Sequence, residues 1–440
     1  MSITRRAGAR FTLFLLTLVY VVNFVDRQLI GILGQPMKAE LGLSDKQLGL
    51  LGGLSFALFN ALLSLPIARL AERRSRIAII AWSVGLWSLA TAACGLARTV
   101  PQLVLGRMGV GIGEAGYAPA AQSLIADLWP SRRRATALAI FSLGVPIGIL
   151  FGAVAGGWIA ELLGWRSAFV MLGLPGVALA ILIGLALREP ERGAQDAIAE
   201  SSPPDFRWVV RTLWSNPAFR HMAAGATLAS IGGYGITYFS VPLLMRTQQL
   251  PLHTAATGFG IVAGLGIGIG IAAGGLIADK LRQKDARAIT AAGGTMIGLL
   301  FFLAALGQSS PVAIAMFALP AFCGAHLYFG PVYAATADSV GPHARATAVA
   351  ILLMVMNGLG LGIGPTLVGM LSDHFTTSAL GDQAAMCATA RSTQDLCSQA
   401  SAAGLTRALR IDALFYIWAS VHFLLGARAL KADQPHSSER

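Results

Sequence analysis

Four ionisable side chains, Asp26, Arg27, Arg107 and Glu114, stand deep inside otherwise apolar stretches of the sequence. A charge in mid-membrane costs on the order of 2.5 to 3.5 kcal/mol on insertion scales, so each of them requires a partner or a function. Their formal charges cancel. Asp26 and Arg27 are neighbours, while Arg107 and Glu114 are seven residues apart, which on one helix means the same face at a separation of ~10.5 Å. That spacing is too long for an easy ion pair. Arg107 is therefore expected to answer Asp26, leaving Glu114 near the midplane as a carboxyl able to bind and release a proton. All four are read as proton-coupling groups. Protons suit the set better than sodium, because it offers few oxygen ligands for a metal ion.

Other chemistries find no support in the residue pattern. The seven histidines form no metal-ligand or nucleophile–base spacing, which argues against a polytopic enzyme acting on lipids, and no metal or cofactor is expected. The glycines from Gly109 to Gly116 have no βαβ context and are not a dinucleotide fingerprint. With those from Gly144 to Gly157 they are expected to let helices approach closely, and Pro146 to permit a bend. A passive channel would show repeated polar rings rather than one asymmetric charge cluster.

The elements that must carry these residues are membrane helices. The 440 residues are 55% hydrophobic and 12% charged, against about 25% charged in soluble domains. Twelve apolar runs have the ~20-residue length that spans a bilayer. They are 11–34, 47–67, 77–97, 101–126, 135–160 and 167–187, then 218–244, 255–278, 288–307, 311–335, 346–371 and 411–430. The expected fold is all-α and integral to the membrane, with twelve transmembrane helices in two pseudo-symmetric six-helix bundles. Residues 1–187 and 218–440 form the bundles and 188–217 a cytoplasmic linker. Arg207, Trp208, Arg211 and Trp214 at its end fit either a surface-lying helix or a solvated loop. The net charge of +12 does not imply nucleic acid, since the basic clusters Arg69/Arg73/Arg74/Arg76, Arg132/Arg133/Arg134 and Lys280/Arg282/Lys284/Arg287 all fall in short loops on one side. That side is read as cytoplasmic, with both termini there. The start is read as a first span and not as a cleaved signal peptide. Cys94 and Cys323 lie within runs, whereas Cys387 and Cys397 share a long external loop from Ser372 to Arg410, where an oxidising compartment would permit a disulfide.

The halves repeat. Ala126-Asp127 followed by Arg134-Ala135-Thr136-Ala137 recurs as Ala337-Asp338 followed by Arg345-Ala346-Thr347-Ala348. Ala68-Arg69-Leu70-Ala71-Glu72-Arg73 recurs as Gly275-Leu276-Ile277-Ala278-Asp279-Lys280 at a similar offset, as a duplicated six-span unit would. This second pair resembles the Gly-x-x-x-Asp-Arg loop motif of the major facilitator superfamily, although the first copy has Ala68 for Gly and Glu72 for Asp. Glu72, Arg73, Arg76, Asp127, Arg134, Asp279, Lys280, Asp338 and Arg345 are accordingly expected to gate the inner side.

The segments Tyr20 to Arg27, Arg107 to Tyr117 and Leu124 to Asp127 resemble the spinster family of that superfamily. The resemblance covers most of the first half and implies a major facilitator fold, alternating access at a site between the bundles, and roles in proton coupling and substrate binding for Asp26, Arg27, Arg107 and Glu114. It also implies an amphipathic lipid-like substrate, because animal members move lysolipids and sphingoid lipids. Asn23 and Tyr117 in the first half, with Tyr234, Tyr238, His326, Tyr328 and Asn357 in the second, complete the expected cavity of a polar wall facing an aromatic one. Thr237 and Tyr333 belong to the same wall, and His326 could titrate. The reading is thus a proton-coupled carrier, a monomer in a bacterial inner membrane, with efflux of drugs or organic anions as the alternative. The sequence places every deeply buried charge in the first half.

Overall fold

The computed structural model describes residues 3–191, 205–281, 284–340, 344–383 and 394–432, and all regular structure among them is helical. Eleven helical stretches are long and apolar enough to cross a membrane. The run 100–128, which carries Arg107 and Glu114, is absent from that set and forms a twelfth, two-piece stretch. The twelve-helix expectation therefore holds, and the stretch weakest in hydropathy is the one loaded with charge.

The chain divides into two compact units, 1–201 with 250–264, and 202–249 with 265–440. In the first, α1 (Ile3–Leu41) is followed by α2 (Asp45–Gly52) and α3 (Leu54–Arg73). Then come α4 (Arg76–Cys94), α5 (Val100–Glu114), α6 (Tyr117–Leu128), α7 (Ser131–Ser142), α8 (Gly144–Leu163) and α9 (Trp165–Ala186). Helix starts follow capping rules: Ser44 and Gln47 form a reciprocal capping box on α2, and the Ser75 hydroxyl accepts from Ala78 N at the head of α4. Gly164, at φ +85°, turns the chain between α8 and α9 with a single residue, a conformation that favours glycine. α1 packs on α8, and α4 on both α9 and α5.

After α9 comes α10 (Phe206–Ser215), then α11 (Pro217–Gln248) and α12 (Leu252–Lys280), whose first half is grouped with the first unit. The remainder are α13 (Lys284–Ala305), α14 (Pro311–His326), α15 (Phe329–Asp338), α16 (Arg345–Leu380), α17 (Gln394–Ala413) and α18 (Phe415–Ala432). α10 is the amphipathic helix of the two alternatives for this segment. It buries Val209 and Leu213 against Phe219, Val340, Ala344 and Ala348 while Trp208 and Trp214 stay exposed. In this unit α11 packs on α16 and α18, and α13 on α14 and α18.

One expectation is corrected here. The stretch 372–410 is not one long loop, because α16 continues to Leu380 and α17 begins at Gln394. Its Ser, Thr and Gln residues hide a packed helix pair: Gly404 lies so close to Thr376 and the Ser372 carbonyl that a Cβ would collide with both. α17 and α18 together form a single candidate span, 395–432, rather than 411–430. Cys397 is disulfide-bonded and Cys94 and Cys323 are free thiols, while the expected partner Cys387 lies outside the described residues. The side chains of Glu72 and Asp279 lie outside them as well.

Large apolar side chains such as Trp82, Leu162 and Leu185 point outward from these helices. In water such faces would drive association, whereas against lipid they need no cover.

Candidate functional site

The first unit gathers its four charges through two helix breaks. Gly53, with ψ of −96°, separates α2 from α3 and leaves the Leu51 carbonyl without its intrahelical donor. Arg107 Nε donates to that carbonyl at 3.3 Å, and Ser55 Oγ shares it at 3.1 Å. The second break, at Ala115 and Gly116, ends α5 immediately after Glu114. Close approach depends on glycine: a Cβ on Gly111 would strike the Phe56 carbonyl, and one on Gly113 the backbone of Trp87.

The pairing differs from the one the spacing suggested. Glu114, expected to stand without a partner, is paired with Arg27, whose Nε donates to Oε2 at 2.7 Å, and Arg107, expected to answer Asp26, makes no hydrogen bond to it among the described residues. Phe56 lies between the two guanidinium groups, 5.2 Å from Arg27 Cζ and 5.1 Å from Arg107 Cζ. Such cation–π contacts contribute roughly 0.5 to 2 kcal/mol each and hold both cations without neutralising them. Asp26 is fully buried, and neither of its oxygens accepts a hydrogen bond of normal length among the described residues. Trp87 and Thr91 of α4 are the neutral donors beside it, and Arg107 and Glu114 the charges it feels. Trp87 Nε1, Thr91 Oγ1, Arg107 Nη1 and Glu114 Oε1 also lack hydrogen-bond partners there. So many unsatisfied polar atoms are unusual for a buried core and mark a place where polar groups are exchanged.

The other expected residues fall into distinct settings. Asn23 is buried on α1, one turn before Asp26. Tyr117 is a packing residue whose hydroxyl donates to the Leu16 carbonyl and whose ring lies against Tyr20, Trp87 and Phe141. In the second unit, Tyr234 OH donates to Asn357 Oδ1 at 3.0 Å and links α11 to α16. Tyr328 OH and Ser230 Oγ are 3.0 Å apart, and Tyr238 is buried. His326 Nδ1 is 2.9 Å from the Phe322 carbonyl, so Nδ1 carries the hydrogen, and its ring stacks on Phe329.

One acid was missed. Asp412 is fully buried in the second unit with no hydrogen bond to either oxygen among the described residues, so the first half does not hold every deep charge. A span taken to begin at Ile411 put this residue at the membrane edge, whereas it lies near the middle of the observed stretch 395–432.

At the ends with the basic loops the repeat becomes geometry. Arg76, almost wholly buried, pairs with Asp127, with Ser123 Oγ at 3.0 Å and with Glu189 Oε1 at 2.7 Å. In the second unit Arg287 Nη1 pairs with Asp338 Oδ2 at 3.1 Å, and both partners stand 211 residues after their counterparts. Arg134 Nη2 reaches back to the Ala126 carbonyl at 2.8 Å. Arg73, Lys280 and Arg345 are exposed. Glu189 and Arg287 were not among the expected gating residues, although Arg287 belongs to a basic cluster visible in the sequence. Burial works to raise the Glu189 carboxyl, but hydrogen bonds from Arg76, Ile77 N and Ser75 outweigh it and hold the group below the usual glutamate range.

Residues 16–365 match the family model of the Major Facilitator Superfamily. The chain belongs to that superfamily. This major facilitator protein is 34% identical over 385 residues to an MFS-type efflux pump of Mycolicibacterium smegmatis, covering 86% of the chain and 87% of the relative. It is 28% identical to protein spinster homolog 1 of Rattus norvegicus, covering 86% and 76%. The sphingosine-1-phosphate transporter SPNS2 of Mus musculus is 27% identical, covering 82% and 69%. A crystal structure of a bacterial homolog to the human lysosomal transporter Spinster, inward-facing and unoccupied, superposes with a TM-score of 0.87 at 29% identity over the whole of both chains. The major facilitator protein is therefore a multi-pass membrane transporter of the Spinster type, and not an enzyme.

Proposed function

We propose that this transporter couples the movement of an amphipathic, lipid-like molecule to protons by alternating access. The observation that carries the reading is Asp26: a fully buried carboxyl that accepts no hydrogen bond of normal length among the described residues, beside the Arg27–Glu114 pair. Ionisable groups are retained in such settings for function, because a packing role would be filled more cheaply by an apolar side chain. Asp26 takes up and releases the proton, and Arg27 and Glu114 respond by opening or closing their ion pair, which changes the charge offered to a substrate head group. Arg107 supplies the second positive charge, and Asn23, one turn before Asp26 on α1, a polar group for the substrate. Tyr234, Asn357, Tyr328, Tyr238 and His326 supply the aromatic and polar surface for the rest of the substrate. Tyr117 supports the site through packing.

The Arg76–Asp127 and Arg287–Asp338 pairs serve as gate contacts, with Arg134, Arg73, Lys280 and Arg345 as further gating charges and Glu72 and Asp279 assigned to the same role from the repeated sequence motif. Two bundles, 1–187 and 218–440, joined by 188–217, fit the end of α9 at Ala186 and the start of α11 at Pro217. A monomer in a bacterial inner membrane with both termini inside accords with the one-sided basic loops, and a Cys387–Cys397 disulfide would then lie outside. The lipid-like substrate draws on the likeness to the sphingosine-1-phosphate transporter, and efflux of small organic molecules on the likeness to the efflux pump. Thermal stabilisation of the purified protein by lysophospholipids and sphingoid phosphates, set against organic anions and drugs, separates the two. A shift with lipids is the expected result, and a shift with organic anions or drugs alone would move the assignment to small-molecule efflux.

A further inference from the structure

Four carboxylates are buried among the described residues, and only two are bonded: Asp45 to Lys38 at 2.6 Å, and Glu114 to Arg27. Asp26 belongs to the site above. Asp412 is left, and nothing derived so far uses it.

Its surroundings are almost free of charge. α11 presents Gly235, where a Cβ would collide with Asp412 Oδ2 and Val368 Cγ2, so the carboxyl fills the space that glycine leaves. α16 presents Val368, and α18 presents Tyr416, the one titratable group facing it among the described residues, which in turn faces Tyr328. No basic side chain pairs with Asp412 among the described residues. Its neighbour Tyr416 also lines a small cavity of about 10 Å³, at the lower limit for one water, together with His326 and the apolar walls Gly233, Ile236 and Phe322, and Asp412 is not itself one of the walls. An acid at mid-span with neither donor nor counter-ion is expensive to keep, and nothing in the packing of α11, α16 and α18 requires it.

We propose that Asp412 is a second proton-binding site, in the second unit, with Tyr416 as the group that links it to the cavity walled by Tyr416 and His326. A proton is the ligand the chemistry fits, because a sodium ion would need several oxygens and the site offers one carboxyl and one phenol. The proposal rests on the proton-coupled reading for its role in transport but not for the binding itself, and the two are tested separately.

Infrared difference spectra of the lipid-reconstituted protein, taken across a pH titration, report each buried carboxylic acid as a protonated-carboxyl stretching band. Asp412→Asn removes one titrating band that Asp26→Asn leaves in place. Tyr416→Phe keeps the band and displaces its titration, which guards against an Asp412→Asn protein that fails to fold. In proteoliposomes the Asp412→Asn transporter moves fewer protons per substrate than the wild type. The proposal is overturned if Asp412→Asn retains every wild-type band, or if the band answers to sodium instead of pH. It is likewise overturned if proton-to-substrate ratio and band titration are both unchanged in Asp412→Asn and Tyr416→Phe. Coupling that survives Asp26→Asn while the Asp412 band still titrates would remove Asp26 from the coupling and leave this site standing.

Discussion

Asp26 and Asp412 are both fully buried acids near the middle of their candidate membrane spans, one in each unit, and neither accepts a hydrogen bond of normal length among the described residues. Asp26 stands among charges, with the Arg27–Glu114 pair and Arg107 within electrostatic reach. Asp412 stands among apolar groups and one phenol. The ends of the two units are alike instead: Arg76–Asp127 and Arg287–Asp338 repeat the same ion pair 211 residues apart. The charged ends thus repeat between the two units while their buried middles differ.

Breaking the first unit's cluster has the largest expected effect. Arg27→Ala strips Glu114 of its partner inside the membrane, a change that costs about 3 to 5 kcal/mol when one member of a buried pair is removed. Proton-driven uptake into proteoliposomes should be abolished and the melting temperature lowered. Glu114→Gln should also abolish uptake, and unchanged coupling would remove Glu114 from the mechanism.

Next comes the comparison between the repeated pairs. Arg76 is almost wholly buried and serves two carboxylates, whereas the Arg287 side chain is 20% exposed and Asp338 37%. Arg76→Ala should therefore cost about 3 kcal/mol or more, and Arg287→Ala under ~1 kcal/mol after solvent screening. Thermal unfolding of both variants in the same detergent measures this, and equal losses would erase the asymmetry.

The uncharged middle of the second unit should respond mildly. Tyr234→Phe deletes the hydrogen bond to Asn357, worth about 1 kcal/mol, and should weaken substrate affinity more than proton coupling.

The smallest effect is in pH. Because the Glu189 carboxyl is held below its ordinary range, its contribution is present above the unfolded glutamate value and is lost as pH falls through the lower folded value. Acid should thus loosen the Arg76 contact in the wild type, and Glu189→Gln should flatten that part of the stability–pH curve.

Much of this was legible in the sequence, because charge inside apolar runs is rare enough to be read residue by residue. Asp26, Arg27, Arg107 and Glu114 stood out on that ground, and the repeated Asp and Arg residues disclosed the duplication. Their pairing did not, since it depends on helix rotation and on the breaks at Gly53 and Ala115–Gly116, which no periodicity encodes. Asp412 was hidden by a boundary error. The polar composition of 394–410 reads as loop, yet packing of α17 against α16 overrides it and carries Asp412 to mid-span.

The most direct test is the Asp26→Asn transporter in proteoliposomes, with substrate movement and internal pH recorded together under an imposed proton gradient. The predicted result is that substrate exchange persists while proton-driven accumulation is lost, and wild-type accumulation with wild-type proton flux would contradict the account.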